Sequence, residues 1–264
     1  MMRHDLYEDL YVKEQDYWWH VGKRLIVYGL LTRFLPARAA GATGRRALDL
    51  GCGTGHNLDS LARYAAPVGL DSASAALDFC RRRGHRCLVR AESLPFAPES
   101  FDIVTALDVI EHVDDDIVTL RDLYTTMRPG GLLIISVPAY RVLWSYWDDI
   151  LGHRRRYTTG SLRRAVETAG FRVRKISYSN TAILVPATVL RFLKGLRHKA
   201  GRRAYSRGFT DEESIPHSDF VPVPGWLNRL LTGYYRWESR TLRRASLPFG
   251  LSVVCVAQKP ARDA

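Results

Sequence analysis

The stretch ALDLGCGTG, residues 47–55, limits the possible folds of this 264-residue chain more than any other. Apolar and small residues around Asp49 indicate a buried strand, and the alternate glycines that follow let the backbone adopt positive φ and approach a ligand closely. A helical pattern begins at His56, so free N–H groups at its N-terminus should point into the turn. The stretch therefore predicts a strand, turn and helix that bind a nucleotide-like ligand.

The spacing of the glycines separates this turn from two phosphate-binding motifs. The dinucleotide fingerprint GxGxxG would need glycine at position 56, which is His56, and the Gly-Lys-Ser/Thr ending of a P-loop is missing. The next predicted strand, residues 67–71, ends at Asp71, about twenty residues after Gly51, where a carboxylate can accept both hydroxyl groups of a ribose. The turn thus fits neither phosphate motif well, although a nucleotide-type ligand is still expected.

Strands alternate with helices along most of the chain, which predicts a parallel, doubly wound sheet. The predicted strands are residues 46–50, 67–71, 85–90, 101–107, 128–138, 171–178 and 251–258. Two N-terminal helices, the first including residues 17–19 and the second spanning 22–34, lie outside this alternation. We predict one domain, 1–264, made of a helical cap (1–40), a core (45–180), a cap insertion (181–245) and a last strand with a tail (246–264).

The positive charge is concentrated in the C-terminal part, where residues 151–264 carry 22 Lys and Arg against 7 Asp and Glu. Such an excess indicates an anionic partner: a phosphorylated substrate, nucleic acid or an acidic lipid surface. Residues 191–207 hold seven Lys and Arg and no acid, and an apolar helical pattern follows at residues 226–234. This arrangement fits either peripheral contact with an anionic membrane or a cap helix over an acceptor pocket.

No segment has the order of a signal peptide, and the apolar run 182–193 is too short to span a bilayer, which takes about 20 residues. The four cysteines form no CxxC pair and show no zinc-like spacing. We therefore expect a cytoplasmic protein with reduced thiols.

From residue 46 to about 171 the chain resembles the type 11/12 class I S-adenosylmethionine-dependent methyltransferases, which include the ubiquinone-pathway O-methyltransferases. The matching segments are LDLGCGTG, GLDSAS, AESLPF, SFDIVTALDVIEHV and MRPGG. The resemblance implies a seven-stranded Rossmann-like sheet in which the last two strands form an antiparallel pair. It places the insertion 181–245 between those two strands.

The resemblance also implies S-adenosylmethionine as cofactor and S-adenosylhomocysteine as its product. Gly51 and Gly53 would approach the methionine part and Asp71 would hold the ribose, while Leu107 and Asp108 would line the sulfonium side. The complete set of implied cofactor-binding residues is Arg24, Asp49, Gly51, Cys52, Gly53, Gly55, Asp71, Ser72, Ala91, Glu92, Leu107 and Asp108.

Two arginines bear on how well this set of residues matches the relatives. Arg24 matches the place where relatives use an arginine against the cofactor carboxylate, although a solvated helix face would give the same pattern. Arg90 stands where many relatives have an acid that accepts from the adenine amino group, and arginine cannot accept a hydrogen bond. Recognition of the adenine would then depend on backbone groups, Glu92 or stacking.

Methyl transfer from a sulfonium is an in-line displacement, so the enzyme must align the two reactants and exclude water. Aromatic side chains can form such walls and can contact the sulfonium by cation–π attraction, although they could equally pack helices onto the sheet. The substrate-binding candidates are Tyr17, Trp18, Trp19, Trp144, Tyr146 and Trp147.

An oxygen nucleophile needs a base, and histidine is the usual one. His153 is the first candidate because it lies in the segment after the fifth strand, which commonly reaches the acceptor in this fold. The catalytic candidates are His153, His20, His112 and Asp149.

The sequence DVIEH could also hold a divalent metal through Asp108, Glu111 and His112, with His153 added from the later loop. Similar sets hold a metal in ubiquinone-pathway O-methyltransferases and in small-RNA 3′-end 2′-O-methyltransferases. However, EHV at this place is widespread among type 11 enzymes without a known metal, and Asp108 is shorter than the glutamate it replaces. We therefore predict that no metal is used.

Taken together, the sequence predicts a methyltransferase that uses S-adenosylmethionine to methylate oxygen or carbon in a small-molecule or lipid-like, anionic acceptor. One alternative is a metal-dependent RNA 2′-O-methyltransferase. The other is a module that binds the cofactor without methylating, because a fold does not fix a reaction.

Overall fold

The computed structural model describes residues 4–35, 44–186, 188 and 223–261. Seven strands form its centre: β1 (Arg46–Leu50), β2 (Ala66–Asp71), β3 (Leu88–Arg90), β4 (Phe101–Leu107), β5 (Met127–Pro138), β6 (Arg172–Ser179) and β7 (Ser252–Gln258). They make one sheet in the order β3-β2-β1-β4-β5-β7-β6. All pairs are parallel except those of β7, which is antiparallel to β5 and to β6. The predicted seven-stranded Rossmann-like sheet is confirmed.

Helices connect most of the strands and cover both faces of the sheet. They are α1 (His4–Lys13), α2 (Trp18–Phe34), α3 (His56–Leu61), α4 (Ser74–Arg82), α5 (Asp116–Thr126), α6 (Tyr146–Leu151), α7 (Thr159–Thr168) and α8 (Gly225–Leu242). Residues 181–186 are also helical. Within the described part of the chain, every helix is too short or too polar to span a bilayer.

The strands are buried on both faces, as β7 illustrates. Val253 and Cys255 pack in one cluster with α5 and α7, while Val254 and Val256 pack in a second cluster with α2 and α8. Because side chains alternate along a strand, these two clusters lie on opposite faces of the sheet. Strands covered on both faces read as continuous apolar runs, which is the pattern of residues 253–257.

The N-terminal cap differs from the prediction. We expected residues 17–19 to continue the first helix, but α1 ends at Lys13 and α2 begins at Trp18. The N–H of Trp18 donates to Oδ1 of Asn228 at 2.8 Å across 210 positions of sequence. The rings of Trp18 and Tyr235 also stack, with centroids 5.9 Å apart. Contacts from α8 therefore support the start of α2, and local periodicity could not show them.

The predicted insertion 181–245 is described only in part. The helical pattern at residues 226–234 is confirmed as α8, which extends to Leu242 and packs on α2. The basic stretch 191–207 lies outside the described residues.

Gly22 of α2 offers a test of this packing, because it faces the fully buried ring of Tyr235 on α8. A Cβ at Gly22 would lie 2.4 Å from Cγ of Tyr235. We expect Gly22→Ala to lower the free energy of unfolding by about 1–3 kcal/mol, since overpacking outweighs the better helix propensity of alanine. Urea denaturation measures this change.

Gly233→Ala on α8 is the matched control, because no described atom outside the immediate chain lies within 4 Å of a Cβ there. It should raise stability by about 0.5–1 kcal/mol through helix propensity alone. Equal stability of the two variants would contradict the packing of α2 on α8.

Candidate functional site

The glycine turn between β1 and α3 has a backbone that side chains would disturb. Gly51, Gly53 and Gly55 have φ of 65°, 52° and 86°, which residues with a Cβ rarely adopt. A Cβ at Gly51 would also lie 2.5 Å from Cγ2 of Val109, just after β4. The turn thus keeps its backbone accessible at the carboxyl ends of β1 and β4, where ligands bind in parallel sheets of this type.

Asp49 of β1 holds the glycine turn in place through buried hydrogen bonds. Its side chain is buried, and Oδ1 accepts from Oγ1 of Thr105 at 2.6 Å and from Nδ2 of Asn57 at 2.7 Å. Burial raises the pKa of Asp49 to about 7, although the two hydrogen bonds oppose that rise. The predicted ligand-binding residue Asp49 is therefore placed to position the turn.

Asp71 ends β2 directly beside the turn. Its Oδ2 accepts from the N–H of Gly53 at 3.0 Å and its Oδ1 from the N–H of Ala73 at 2.9 Å. Burial raises the pKa of Asp71, and these backbone hydrogen bonds oppose the rise. An ionised carboxylate has about four acceptor positions, so some acceptor capacity is left for a ligand hydroxyl beside these backbone donors and the N–H of Ser72. The spacing argument thus identified two residues that the fold brings together.

The other predicted residues around Asp71 differ in how accessible they are. Ser72 and Glu92 are exposed, and the N–H of Ala91 donates to the carbonyl oxygen of Asp71 at 3.3 Å. Cys52 is buried, with its Sγ 3.8 Å from that of Cys80 on α4. The sulfur of Cys52 therefore packs within the protein, and only its backbone can serve the turn.

Two N-terminal side chains that the sequence analysis missed reach the same edge of the sheet. Nζ of Lys23 forms an ion pair with Asp108, which follows β4 with a φ of 56°. Glu14, just after α1, accepts a hydrogen bond from the hydroxyl of Thr54, and burial raises its pKa. Leu107 is partly buried against the α2 side of the core. No local motif marks Glu14 or Lys23, because both contacts depend on how the cap docks.

Arg24 is close enough to Glu14 for their charges to interact. It lines a cavity of about 620 Å³ between α2, α3 and α8, and its Nη2 donates to the carbonyl oxygen of Gln15 at 3.3 Å. Lys23, and not Arg24, is the cation that contacts Asp108.

The aromatic candidates fall into two groups. Tyr17, Trp18 and Trp19 lie at the start of α2, where Trp18 contacts the rings of both neighbours. Trp144 lies after β5, and its Nε1 donates to Oδ1 of Asp149 at 3.0 Å. The side chains of Tyr146 and Trp147 are outside the described part of the structure.

His153 is held by a buried ion-pair network. Its Nδ1 lies 2.7 Å from Oδ1 of Asp148, and Arg156 donates to both oxygens of Asp148 at 2.7 and 2.9 Å. Burial alone would raise the pKa of Asp148, but the hydrogen bonds from His153 and Arg156 hold it well below its ordinary value. The predicted catalytic residue Asp149 is exposed instead, so Asp148 is the carboxylate that orients the imidazole.

Three of the four potential metal ligands come together. The ligand atoms of Glu111, His112 and His153 lie within 4.8 Å of one another, and the two imidazole centroids are 4.7 Å apart. Residues 110–112 form a turn and not a helix. Asp108, the fourth potential ligand, therefore does not share a helical face with Glu111, and it pairs with Lys23.

The carboxyl group of Glu111 is fully buried, and neither oxygen has a hydrogen-bond partner among the described residues. Burial, followed by the charge of Asp108, raises its pKa well above the ordinary value. Burial and His153 lower the pKa of His112. His20 on α2 is neutral, since burial and nearby Lys23 lower its pKa to about 3. His20 is consequently a weak base. The imidazole of His153, in contrast, is held in one orientation by Asp148, as a general base requires.

The chain is similar in sequence to known methyltransferases. Residues 18–176 match a family model described as a methyltransferase domain. A Mycolicibacterium smegmatis protein named a probable S-adenosylmethionine-dependent methyltransferase is 32% identical over 166 residues, which cover 61% of each chain. The ubiquinone biosynthesis O-methyltransferase of Aeromonas salmonicida is 31% identical over 167 residues, covering 54% of this chain and 70% of that one.

Among solved structures, that of the cyclase SpnF has a TM-score of 0.55 at 17% identity, covering 90% of this chain and 81% of that chain. This likeness concerns the fold. The chain spans about three fifths of the length of its Mycolicibacterium relative, 61%.

The Asp148 network predicts a pH-dependent stability. Asp148→Asn leaves the buried Arg156 without its counter-charge and should cost about 3–5 kcal/mol of unfolding free energy at pH 7. Because the folded pKa of Asp148 is depressed, its ionised form stabilises the fold above the unfolded pKa of about 4, and this contribution falls at lower pH. The difference between the variant and the wild type should therefore shrink between pH 5 and about pH 2.

Asp149→Asn is the adjacent control and should stay within about 0.5 kcal/mol of the wild type, as surface substitutions usually do. Chemical denaturation at several pH values measures both variants. A constant cost of Asp148→Asn across this pH range would contradict the ionised network.

Proposed function

The chain belongs to the methyltransferase-domain family of class I S-adenosylmethionine-dependent methyltransferases, and on this premise we propose that it methylates an oxygen or carbon atom of a small-molecule or lipid-like, anionic acceptor. The observation that carries the proposal is the Asp71 carboxylate beside the N–H of Gly53, at the ends of two adjacent parallel strands.

The residues present fit the cofactor. Gly51 and Gly53 leave the backbone uncovered, and Asp71 keeps acceptor capacity for a ribose hydroxyl. Asp108 adds a carboxylate that can share its charge between Lys23 and a ligand ammonium group. S-adenosylmethionine, when bound, supplies a methyl group activated by the adjoining sulfonium.

His153 is the base that this geometry favours for an oxygen nucleophile. Asp148 takes the hydrogen bond of Nδ1, which leaves Nε2 with the lone pair that can accept a proton from an acceptor hydroxyl. Asp148 is the positioning residue, because Arg156 keeps it ionised and fixed. The N–H of Arg154 donates to the carbonyl oxygen of Glu111 at 2.8 Å, so the loop with His153 is joined to the segment after β4.

The nature of the acceptor is inferred from charge and from one relative. The C-terminal excess of Lys and Arg favours an anionic acceptor. The Aeromonas relative is named for ubiquinone biosynthesis and for O-methylation, which supports a lipid-like acceptor and an oxygen nucleophile.

A second candidate is a metal-dependent RNA 2′-O-methyltransferase. The buried carboxyl group of Glu111 without a partner and the two nearby imidazoles are donors that a divalent cation could use. A third reading, a cofactor-binding module that does not methylate, stays open because SpnF has a similar fold and is named a cyclase.

Isothermal titration with S-adenosylmethionine and S-adenosylhomocysteine tests the cofactor site. Asp71→Ala should weaken binding of both by at least about 10-fold, since charge-assisted hydrogen bonds contribute about 1.5–3 kcal/mol each. Asp78→Ala, which removes an exposed carboxylate on α4, should bind like the wild type. The proposal fails if the wild type binds neither compound, or if the two variants bind alike.

Chelation separates the first two candidates. With S-adenosylmethionine carrying a labelled methyl group and a phenolic lipid extract, we expect label transfer to lipid that EDTA leaves unchanged, because no step needs a cation. Transfer to RNA 3′ ends that is abolished by EDTA and by His112→Ala would favour the second candidate. Cofactor binding without any labelled product would favour the third.

A further inference from the structure

Helix α8 presents two unlike stripes away from its buried face. Trp226, Leu230 and Trp237 are 63%, 62% and 57% exposed. Their spacing places them on one side of an α-helix. The opposite side packs on α2 through buried residues such as Tyr235 and Leu242. The apolar stripe, residues 226, 230 and 237, therefore remains exposed when α8 packs on α2.

Arginines run beside this stripe and enter the cavity between α2, α3 and α8. Arg236, Arg240 and Arg243 follow at helical spacing on α8, and Arg63 faces them from the segment after α3. None of these four has a carboxylate within the 4.0 Å of an ion pair among the described residues. We call this cavity, about 620 Å³ in volume, the arginine groove.

The groove has little negative charge of its own. Asp59 is the one carboxylate among its described lining residues, and Oδ1 of Asp59 already lies 3.1 Å from Nε2 of His85. Clustered guanidinium groups repel one another unless an anion lies between them, and their planar donors match phosphate oxygens. The groove is thus complementary to phosphate groups.

We propose that the arginine groove and the apolar stripe of α8 together dock the protein onto a bilayer that contains anionic phospholipid. The arginines would contact lipid phosphates, and Trp226, Leu230 and Trp237 would enter the region between headgroups and acyl chains. Tryptophan and leucine beside a basic stripe are typical of helices that lie in this interface. The inference concerns a partner of the whole protein and does not depend on methyl transfer.

Sedimentation with vesicles tests the proposal on the full chain. Vesicles of phosphatidylcholine with phosphatidylglycerol should bind the protein, and vesicles of phosphatidylcholine alone should not. Arg236→Gln/Arg240→Gln should lower the partition coefficient on the order of 25-fold, since each of the two cations at an anionic surface contributes a factor of about five. Leu230→Gln/Trp237→Gln should lower it as well.

Matched controls lie on the opposite face of the sheet. Arg121→Gln/Arg164→Gln removes the same charge from exposed positions of α5 and α7, and Val118→Gln removes a half-exposed apolar residue of α5. Both should bind vesicles like the wild type. All substitutions are on exposed side chains, and equal thermal unfolding midpoints would confirm that each variant is folded.

Several outcomes would overturn the proposal. One is equal binding to neutral and anionic vesicles, and another is an equal loss in the control variants. If Arg236→Gln/Arg240→Gln bound vesicles as strongly as the wild type, other residues, such as the basic stretch 191–207, would be responsible for vesicle binding. Binding of inorganic pyrophosphate that needs Arg236 and Arg240, without vesicle binding, would make the groove a site for a soluble phosphate.

Discussion

The buried carboxyl group of Asp49 joins the elements on which the site depends. It connects β1 to Thr105 of β4 and to Asn57 in the first turn of α3. The hydroxyl of Tyr28 donates to the backbone oxygen of Asn57 at 3.0 Å, which adds α2. Both ends of the glycine turn are thereby fixed. Because β1 and β2 pair in parallel, with Leu50 opposite Leu70, the carboxylate of Asp71 arrives beside that turn.

The sequence was sufficient to predict the part of the candidate site that lies at the ends of the parallel strands. The glycine turn and Asp71 could be predicted because their places follow from strand order and from residues close in sequence. Lys23 and Asp108 are 85 positions apart, and their pairing depends on how α2 docks over the sheet. Local patterns carry no information on such docking, so the contact of Lys23 with Asp108 could not be predicted, and the role of Arg24 toward the cofactor carboxylate stays a prediction.

The selection of Asp149 instead of Asp148 shows that contacts between residues close in sequence can also be hard to predict from local patterns. Both lie in α6. Asp148 accepts from Arg156 beyond the turn and from the backbone N–H of Ser145 at the start of the helix, and Asp149 makes neither contact. The role of His153 as the base stays a prediction, and the contact of its ring with Asp148 became visible only in the fold. The sequence also indicated the basic and apolar patterns of α8, but whether they would be buried depended on the packing of α2.

We propose that the cofactor binds at the strand ends, that the base lies in the loop after β5 and that α8 contacts a membrane. A crystal structure of the complex with S-adenosylhomocysteine tests the first and central of these claims most directly. We predict ribose hydroxyls within hydrogen-bond distance of the Asp71 carboxylate and the amino-acid end of the ligand between Gly51 and Asp108. A ligand bound in the arginine groove, or a ribose without contact to Asp71, would contradict the account.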